Sequence, residues 1–217
     1  DECIEIVQRA ETLLDAAGDL WELAVCRYNL ALCYYRKGQL PRAREPAKRA
    51  YAAGLECGDV QASGVSLGVL VRCSPLEITE EQLDRELEAP DLDAATKAWL
   101  LEAKGIRWLA RGQSGKAVKE LEESWSISKE LGRRTEYVAS SPCWLATAYR
   151  KHLETVPQYA TKVRDELLYK LERAVKLALS WGKNFRNNLP HALREQAYLH
   201  ALKGHPSKSL HSLRKSL

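Results

Sequence analysis

The sequence predicts an all-α fold, a solenoid built from stacked antiparallel helix hairpins. A six-position pattern of small and aromatic residues recurs along the chain, and glycines interrupt the helical periodicity at regular intervals. No segment alternates apolar and polar residues as a half-buried strand would. The 217 residues are 45% hydrophobic and 29% charged, which is normal for a chain that buries a core.

The recurring pattern is clearest in the segment NLALCYYRKGQLPRA and the residues that follow it. Counted from the small residue Ala31, an aromatic follows at +3, a glycine at +7 and alanines at +12, +16 and +19: Tyr34, Gly38, Ala43, Ala47 and Ala50. The same spacing fits when counted from Gly105 and from Ala197. A small anchor residue lets a neighbouring helix approach, the glycine ends the first helix, and the later positions line one face of a second helix.

A second set of glycines is predicted to end the second helices. Each lies eight residues after a small residue of the pattern: Gly18, Gly58, Gly132 and Gly182. Asp19 and Asp59 directly follow two of these glycines. Because an Asp side chain can accept hydrogen bonds from the first free backbone N–H groups of a helix, both are predicted N-caps.

The elements follow in chain order as one repeat domain. Residues 1–18 are predicted to form the second helix of a hairpin whose first helix precedes Asp1. At the other end, Leu217 directly follows the last position of the pattern. Both ends are therefore expected to be cut surfaces, at which the repeat array is interrupted. Hairpins are then predicted over residues 20–58, 59–90, 93–132, 135–182 and 188–217.

Two of these hairpins depart from the pattern. The hairpin over residues 59–90 is anchored by Gly68, has Pro75 near its turn, and has a second helix over 79–88 capped by Thr79. The hairpin over residues 135–182 is anchored on Ala146, and its second helix carries a continuous apolar stripe from about Pro157 to Trp181.

The motif formed by Leu30, Ala31, Tyr34, Gly38 and Ala43 resembles the tetratricopeptide (TPR) repeat, and the resemblance covers about nine-tenths of the chain. The anchors are separated by 37, 37, 41 and 51 residues, which exceeds the family's period of about 34, and the family's closing proline is absent. The long period, and residues 187–204 in particular, resemble arrays that follow an ATPase or kinase in large multidomain signalling proteins. The resemblance implies a right-handed superhelix with a concave groove.

In this family the positions −3, +1 and +4 from each anchor face the groove. They select Tyr28, Leu32, Tyr35, Val69, Arg72, Glu102, Ile106, Leu109, Thr147, Arg150, Arg194 and Tyr198, with Val65, Cys143 and Ala201 at the remaining positions. We therefore expect a groove that is aromatic and aliphatic at its N-terminal end and basic at its C-terminal end. A carboxylate-clamp TPR is excluded, because Tyr28, Leu32, Glu102 and Ile106 occupy the places of its Lys and Asn residues.

No catalytic, cofactor or metal motif is found, so we predict a non-catalytic chain. The segment RGQSGKA, residues 111–117, lacks the first glycine of a phosphate-binding loop and the Ser or Thr after its lysine. The five histidines include no H-x-x-x-H pair, and the six cysteines include no C-x-x-C pair. We therefore expect free thiols, a reducing compartment and a cytoplasmic protein.

Charge is uneven, since residues 161–217 hold 12 Lys and Arg against 4 Asp and Glu. Five of these cations are distributed around one predicted helix, which favours solubility or an acidic protein partner over nucleic acid: Lys162, Arg164, Lys170, Arg173 and Lys176. No apolar run is long enough for a membrane span. The chain is thus predicted to be a scaffold that holds a peptide or helix in its groove. The alternative is a sensor or regulatory arm that packs on an ATPase, kinase or cyclase domain of the same polypeptide.

Overall fold

The computed structural model describes residues 2–131 and 136–217. Within these ranges every regular element is a helix, which confirms the all-α class. The chain divides into two compact units, Asp1–Arg111 and Gly112–Leu217. The boundary lies inside the hairpin predicted over residues 93–132.

Unit 1 contains six helices, each of which packs on the next. They are α1 (Glu2–Ala17), α2 (Leu20–Arg36), α3 (Leu40–Cys57), α4 (Val60–Cys73), α5 (Glu80–Leu87) and α6 (Ala94–Ala110), with α3 followed directly by α4. Helix α4 contacts both α2 and α6. The first helices of successive predicted hairpins therefore pack against one another, as stacking requires.

Unit 2 continues with α7 (Ser114–Glu130), α8 (Glu136–Ala139), α9 (Ser141–Thr155), α10 (Thr161–Gly182), α11 (Leu189–Leu202) and α12 (Pro206–Ser216). Helix α9 packs on α7, α10 and α11, and α11 packs on α12. Helix α10 begins about four residues later than predicted. The cause is a turn in which the Ala160 N–H donates to the Pro157 carbonyl over 3.0 Å.

The predicted turn glycines adopt the left-handed conformation that residues with a Cβ rarely adopt. Gly38, Gly112 and Gly204 have φ values of 70°, 72° and 73°, and each follows a helix that was predicted to be the first of a hairpin. The predicted N-caps are also confirmed: the Asp19 carboxylate accepts from the Glu22 N–H, and the Asp59 carboxylate caps α4. These contacts fix where α2 and α4 begin.

The prediction for Gly182 is wrong, because this residue is the last of α10 and is not in the left-handed conformation. A Cβ at this position would lie 3.2 Å from the Leu189 Cα, so the glycine serves the close approach of α11 to α10. Gly18 and Gly58 do have left-handed φ values and end α1 and α3 as predicted. Gly132 lies outside the described residues.

Small anchor residues allow the close helix contacts that the pattern predicts. Ala31 and Ala146 are fully buried, and a Cβ on Gly68 would lie only 2.0 Å from the Trp99 Nε1 of α6. The Trp99 indole is fixed there, since its Nε1–H donates to the Val65 carbonyl over 3.0 Å. In the part of the chain that the structure describes, no helix has the length and apolar character needed to cross a membrane.

Candidate functional site

Two arginines occupy the same position of the repeat, four residues after an anchor. Arg72 follows Gly68 on α4, and Arg150 follows Ala146 on α9. Each guanidinium reaches the first helix of the next hairpin, where it meets a buried carboxylate and an aromatic ring. The surroundings of these two arginines determine which surfaces remain open to a partner.

The unit 1 cluster consists of Arg72, Trp99 and Glu102. Arg72 Nη2 donates to Glu102 Oε1 over 2.5 Å, and Nη1 donates to the Gly68 carbonyl over 2.8 Å. The guanidinium carbon lies 3.4 Å from the centre of the Trp99 ring. The two charged side chains are only 1% and 0% exposed, so this cluster is sealed between α4 and α6.

The unit 2 cluster consists of Thr147, Arg150, His191, Glu195 and Tyr198. Arg150 binds the Glu195 carboxylate through two hydrogen bonds, of 2.7 Å from Nε and 3.1 Å from Nη2. Its Nη1 donates to Glu154 over 2.9 Å, and its guanidinium carbon lies 4.1 Å from the centre of the Tyr198 ring. The bidentate geometry fixes the plane of the guanidinium.

Thr147 and His191 complete the contacts of the Glu195 carboxylate. The Thr147 hydroxyl donates to Glu195 Oε1 over 2.8 Å, and His191 Nε2 lies 2.8 Å from the same hydroxyl oxygen. Because that hydroxyl proton is directed to Glu195, His191 acts as the donor to Thr147. Burial, together with the charges of Arg194 and Arg150, lowers the pKa of His191 to about 3, so its imidazole is neutral at physiological pH.

The unit 2 cluster reaches solvent along α11. Tyr198 is 42% exposed although its ring packs on the Arg150 guanidinium, and Arg194 and Ala201 are exposed beside it. Spacings of four and three residues place these three side chains on one side of the helix. We call Arg194, Tyr198 and Ala201 the α11 face: an ordered aromatic ring next to an exposed cation.

Several predicted groove residues do not line an open surface. Six of them have buried side chains: Tyr28, Val69, Arg72, Glu102, Ile106 and Arg150. Cys143 is buried too, whereas Val65, Leu32, Tyr35, Leu109 and Thr147 are partly exposed. Tyr35 packs against a small core that includes Leu30 and Tyr34.

The sequence pattern places Arg150 at the basic end of a groove, whereas in the structure Glu195 and Glu154 bind its guanidinium. Arg72 is bound by Glu102 in the same way. The physical reason is that the next hairpin supplies a carboxylate opposite the +4 position. Among the predicted groove cations, only Arg194 is exposed.

The sequence reasoning missed Glu195, Trp99 and His191 as members of these clusters. The sequence does contain a signal for Glu195. Each arginine at the +4 position is followed, in the next predicted hairpin along the chain, by a glutamate two or three residues before that hairpin's anchor. No such signal marks the aromatic rings, since Trp99 lies six residues before its anchor and Tyr198 one residue after its own.

Unit 2 also has a depression whose lining includes basic side chains. This depression of about 400 Å³ between α11 and α12 is lined by His200, Lys208, His211 and Lys215, among others. Within residues 2–131 and 136–217, no group of three or more His, Cys, Asp or Glu side chains could hold a metal ion.

Comparison with models of known protein families gives no match, and a search of curated proteins gives none either. The resemblance to the TPR family therefore remains a prediction from the sequence motif.

Proposed function

We propose that this chain is a non-catalytic, cytoplasmic protein-interaction module of the TPR type, with its hairpins arranged in a right-handed superhelix. Its ligand is a segment of another protein in which an apolar side chain lies next to acidic residues. The proposal places the main contact on the α11 face of unit 2.

The observation that carries this proposal is the ordered but exposed ring of Tyr198. Its position over the Arg150 guanidinium limits its motion, because Arg150 is itself bound by Glu195 and Glu154. A ring held in place before binding loses less conformational entropy when a partner packs on it. Tyr and Arg are also the residue types most often found at the centre of binding interfaces.

Charge supports an acidic partner. Arg194 is exposed on the α11 face, and residues 161–217 carry 12 Lys and Arg against 4 Asp and Glu. This excess attracts an acidic segment during encounter, while Arg194 offers it a direct contact.

A partner within the same polypeptide is the second candidate. Residues 187–204 resemble the arrays of multidomain signalling proteins, and this segment contains the whole of α11. In that case, the α11 face would hold an acidic surface of an attached ATPase, kinase or cyclase domain, and the array would act as a regulatory arm.

The proposal can be tested by selecting binders from a library of displayed peptides with random sequences, which contains segments of every composition. The immobilised chain should enrich peptides with an aromatic or aliphatic residue within about four positions of Asp or Glu. The enriched peptides should bind weakly to Tyr198→Ala, because this change removes the ring without affecting the buried Glu195.

Lys162→Ala is the matched control, since it removes an exposed cation from the start of α10. Its binding should equal that of the original chain. Enrichment of peptides without acidic residues, or equal binding by Tyr198→Ala, would overturn the proposal.

A further inference from the structure

Two cysteines of unit 1 lie in contact across a helix pair. The Sγ atoms of Cys3 on α1 and Cys33 on α2 are 3.5 Å apart. Cys3 is exposed, Cys33 is partly buried, and both are free thiols. A disulfide has an S–S distance of about 2.05 Å, so a small movement of the two side chains would allow the bond to form.

Helix α1 is held to α2 by few buried contacts. Ile4 is its only buried residue among those the structure describes for this helix. Polar contacts also join the two helices. Examples are the 3.0 Å ion pair of Arg27 with Glu11 and the 3.2 Å hydrogen bond from the Cys26 thiol to the Val7 carbonyl. An element with so little buried surface opens locally at low free energy.

We propose that Cys3 and Cys33 form a redox modification site, in which a hydroperoxide oxidises the two thiols to a disulfide that fastens α1 to α2. The Cys3 thiolate attacks one oxygen of the peroxide, so that an S–O bond forms, the O–O bond breaks and an alcohol or water leaves. The Cys33 sulfur then attacks the sulfenic sulfur of Cys3, the S–S bond forms, and the S–O bond breaks with loss of water. The two sulfurs together supply the two electrons that reduce the peroxide.

Exposure assigns the two roles. The peroxide reaches Cys3 from solvent, whereas Cys33 packs against the core around Ile4, Leu30 and Tyr34. Burial and the adjacent Cys3 raise the pKa of Cys33, which makes it the weaker initial nucleophile and the resolving thiol. A dithiol reductant reverses the reaction by exchange.

The disulfide changes the dynamics of α1 and leaves the α11 face untouched. It closes a loop between residues 3 and 33 and restricts the open states of α1. Tyr35 packs against the same core as Cys33, so its surroundings become more rigid as well. The inference is independent of the proposed function, because it concerns unit 1 alone.

Peptide mapping tests the site directly. The reduced chain of residues 1–217 is treated with an equimolar amount of hydrogen peroxide, alkylated and digested with trypsin. Cleavage after arginine places Cys3 in the peptide of residues 1–9 and Cys33 in that of residues 28–36. We expect these two peptides to be joined, and oxidation to slow amide hydrogen exchange across residues 2–17 at least tenfold.

Three variants make the test specific. Cys3→Ser and Cys33→Ser should each abolish the joined peptide and the change in hydrogen exchange. Cys57→Ser removes another exposed thiol and should change neither. Predominant linkage of Cys57 or Cys73, crosslinks between chains, or unchanged exchange in α1 after oxidation would overturn the proposal.

Discussion

The clusters of unit 1 and unit 2 use the same repeat position for different environments. In unit 1, Arg72 and Glu102 form a pair that is closed off from water on every side, and Trp99 covers the guanidinium. In unit 2, Arg150 makes a comparable pair with Glu195, but Tyr198 covers it with a ring that is 42% exposed. The carboxylate is buried in both clusters, but the aromatic ring is buried in unit 1 and exposed in unit 2.

The difference shows how the same repeat position can close one cluster off from solvent and leave the aromatic ring of another exposed. Taking two charges out of water is unfavourable unless their mutual attraction and further hydrogen bonds offset it. The unit 1 pair satisfies this condition and leaves no accessible side chain of the cluster. The unit 2 pair satisfies it and at the same time orients an exposed tyrosine beside Arg194.

Removal of Arg72 should cause the largest change. Arg72→Met leaves the Glu102 carboxylate buried without its cation, so we expect the free energy of unfolding to fall by about 4 kcal/mol. Urea denaturation followed by circular dichroism measures the change. The double variant Arg72→Met with Glu102→Leu removes the buried negative charge as well and should recover at least about half of the loss.

The equivalent variant in unit 2 sharpens the comparison. Arg150→Met should lower the free energy of unfolding by about 2 to 3 kcal/mol, because the Thr147 hydroxyl still donates to Glu195. A loss for Arg150→Met that equals or exceeds the loss for Arg72→Met would contradict the distinction between a sealed and an open cluster.

The close approach at Gly68 predicts a steric effect in unit 1. A Cβ there would lie 2.0 Å from the Trp99 Nε1, so Gly68→Ala must displace the indole and should lower the free energy of unfolding by about 2 to 3 kcal/mol. Gly115 on α7 is the control. A Cβ at that position has its nearest neighbour at 3.4 Å, so Gly115→Ala should be neutral or stabilising by up to about 1 kcal/mol.

The neutral His191 predicts a pH effect in unit 2. Its pKa is about 3 in the folded chain against a reference of 6.5, so the unfolded chain takes up the proton first as the pH falls. The contribution of neutral His191 to the free energy of unfolding is therefore fully present above about pH 6.5 and is lost progressively as the pH falls towards 3. Between pH 7 and pH 5, the free energy of unfolding should fall by about 2 kcal/mol more for the original chain than for the His191→Gln variant. Urea denaturation at each pH measures both values.

Equal losses for both chains over that range would show that His191 binds a proton as readily when folded as when unfolded. That result would conflict with the burial of the imidazole and with the arginine charges on either side of it.

Much of the fold could be predicted from the sequence, because local rules decide it. The positive φ of Gly38 and the capping by Asp59 depend only on residues nearby in the chain. Gly182 shows where this reasoning stops: a glycine that serves a close approach to Leu189 has the same sequence appearance as a helix cap. The division into two units depends on contacts between distant residues, which the repeat pattern does not contain.

The candidate site was less predictable, since exposure depends on which side chains neighbouring helices contribute. Val69 and Ile106 occupy groove positions of the family pattern, and both are buried here. Arg150 was expected to be available, but its charge is taken up by Glu195, which lies 45 residues further along the chain. Arg194, Tyr198 and Ala201 are the three predicted residues for which an exposed position was found.

The most direct test of the binding proposal uses a peptide from the library selection that has an apolar residue next to acidic residues. Its affinity is measured for two variants of the chain, Arg194→Glu and Lys162→Glu. Both substitutions reverse one exposed charge in unit 2, but only the first lies on the α11 face. Isothermal titration calorimetry should show an affinity loss of at least about tenfold for Arg194→Glu and of no more than about twofold for Lys162→Glu. Equal losses for the two variants would mean that general charge attraction, and not the α11 face, binds the peptide.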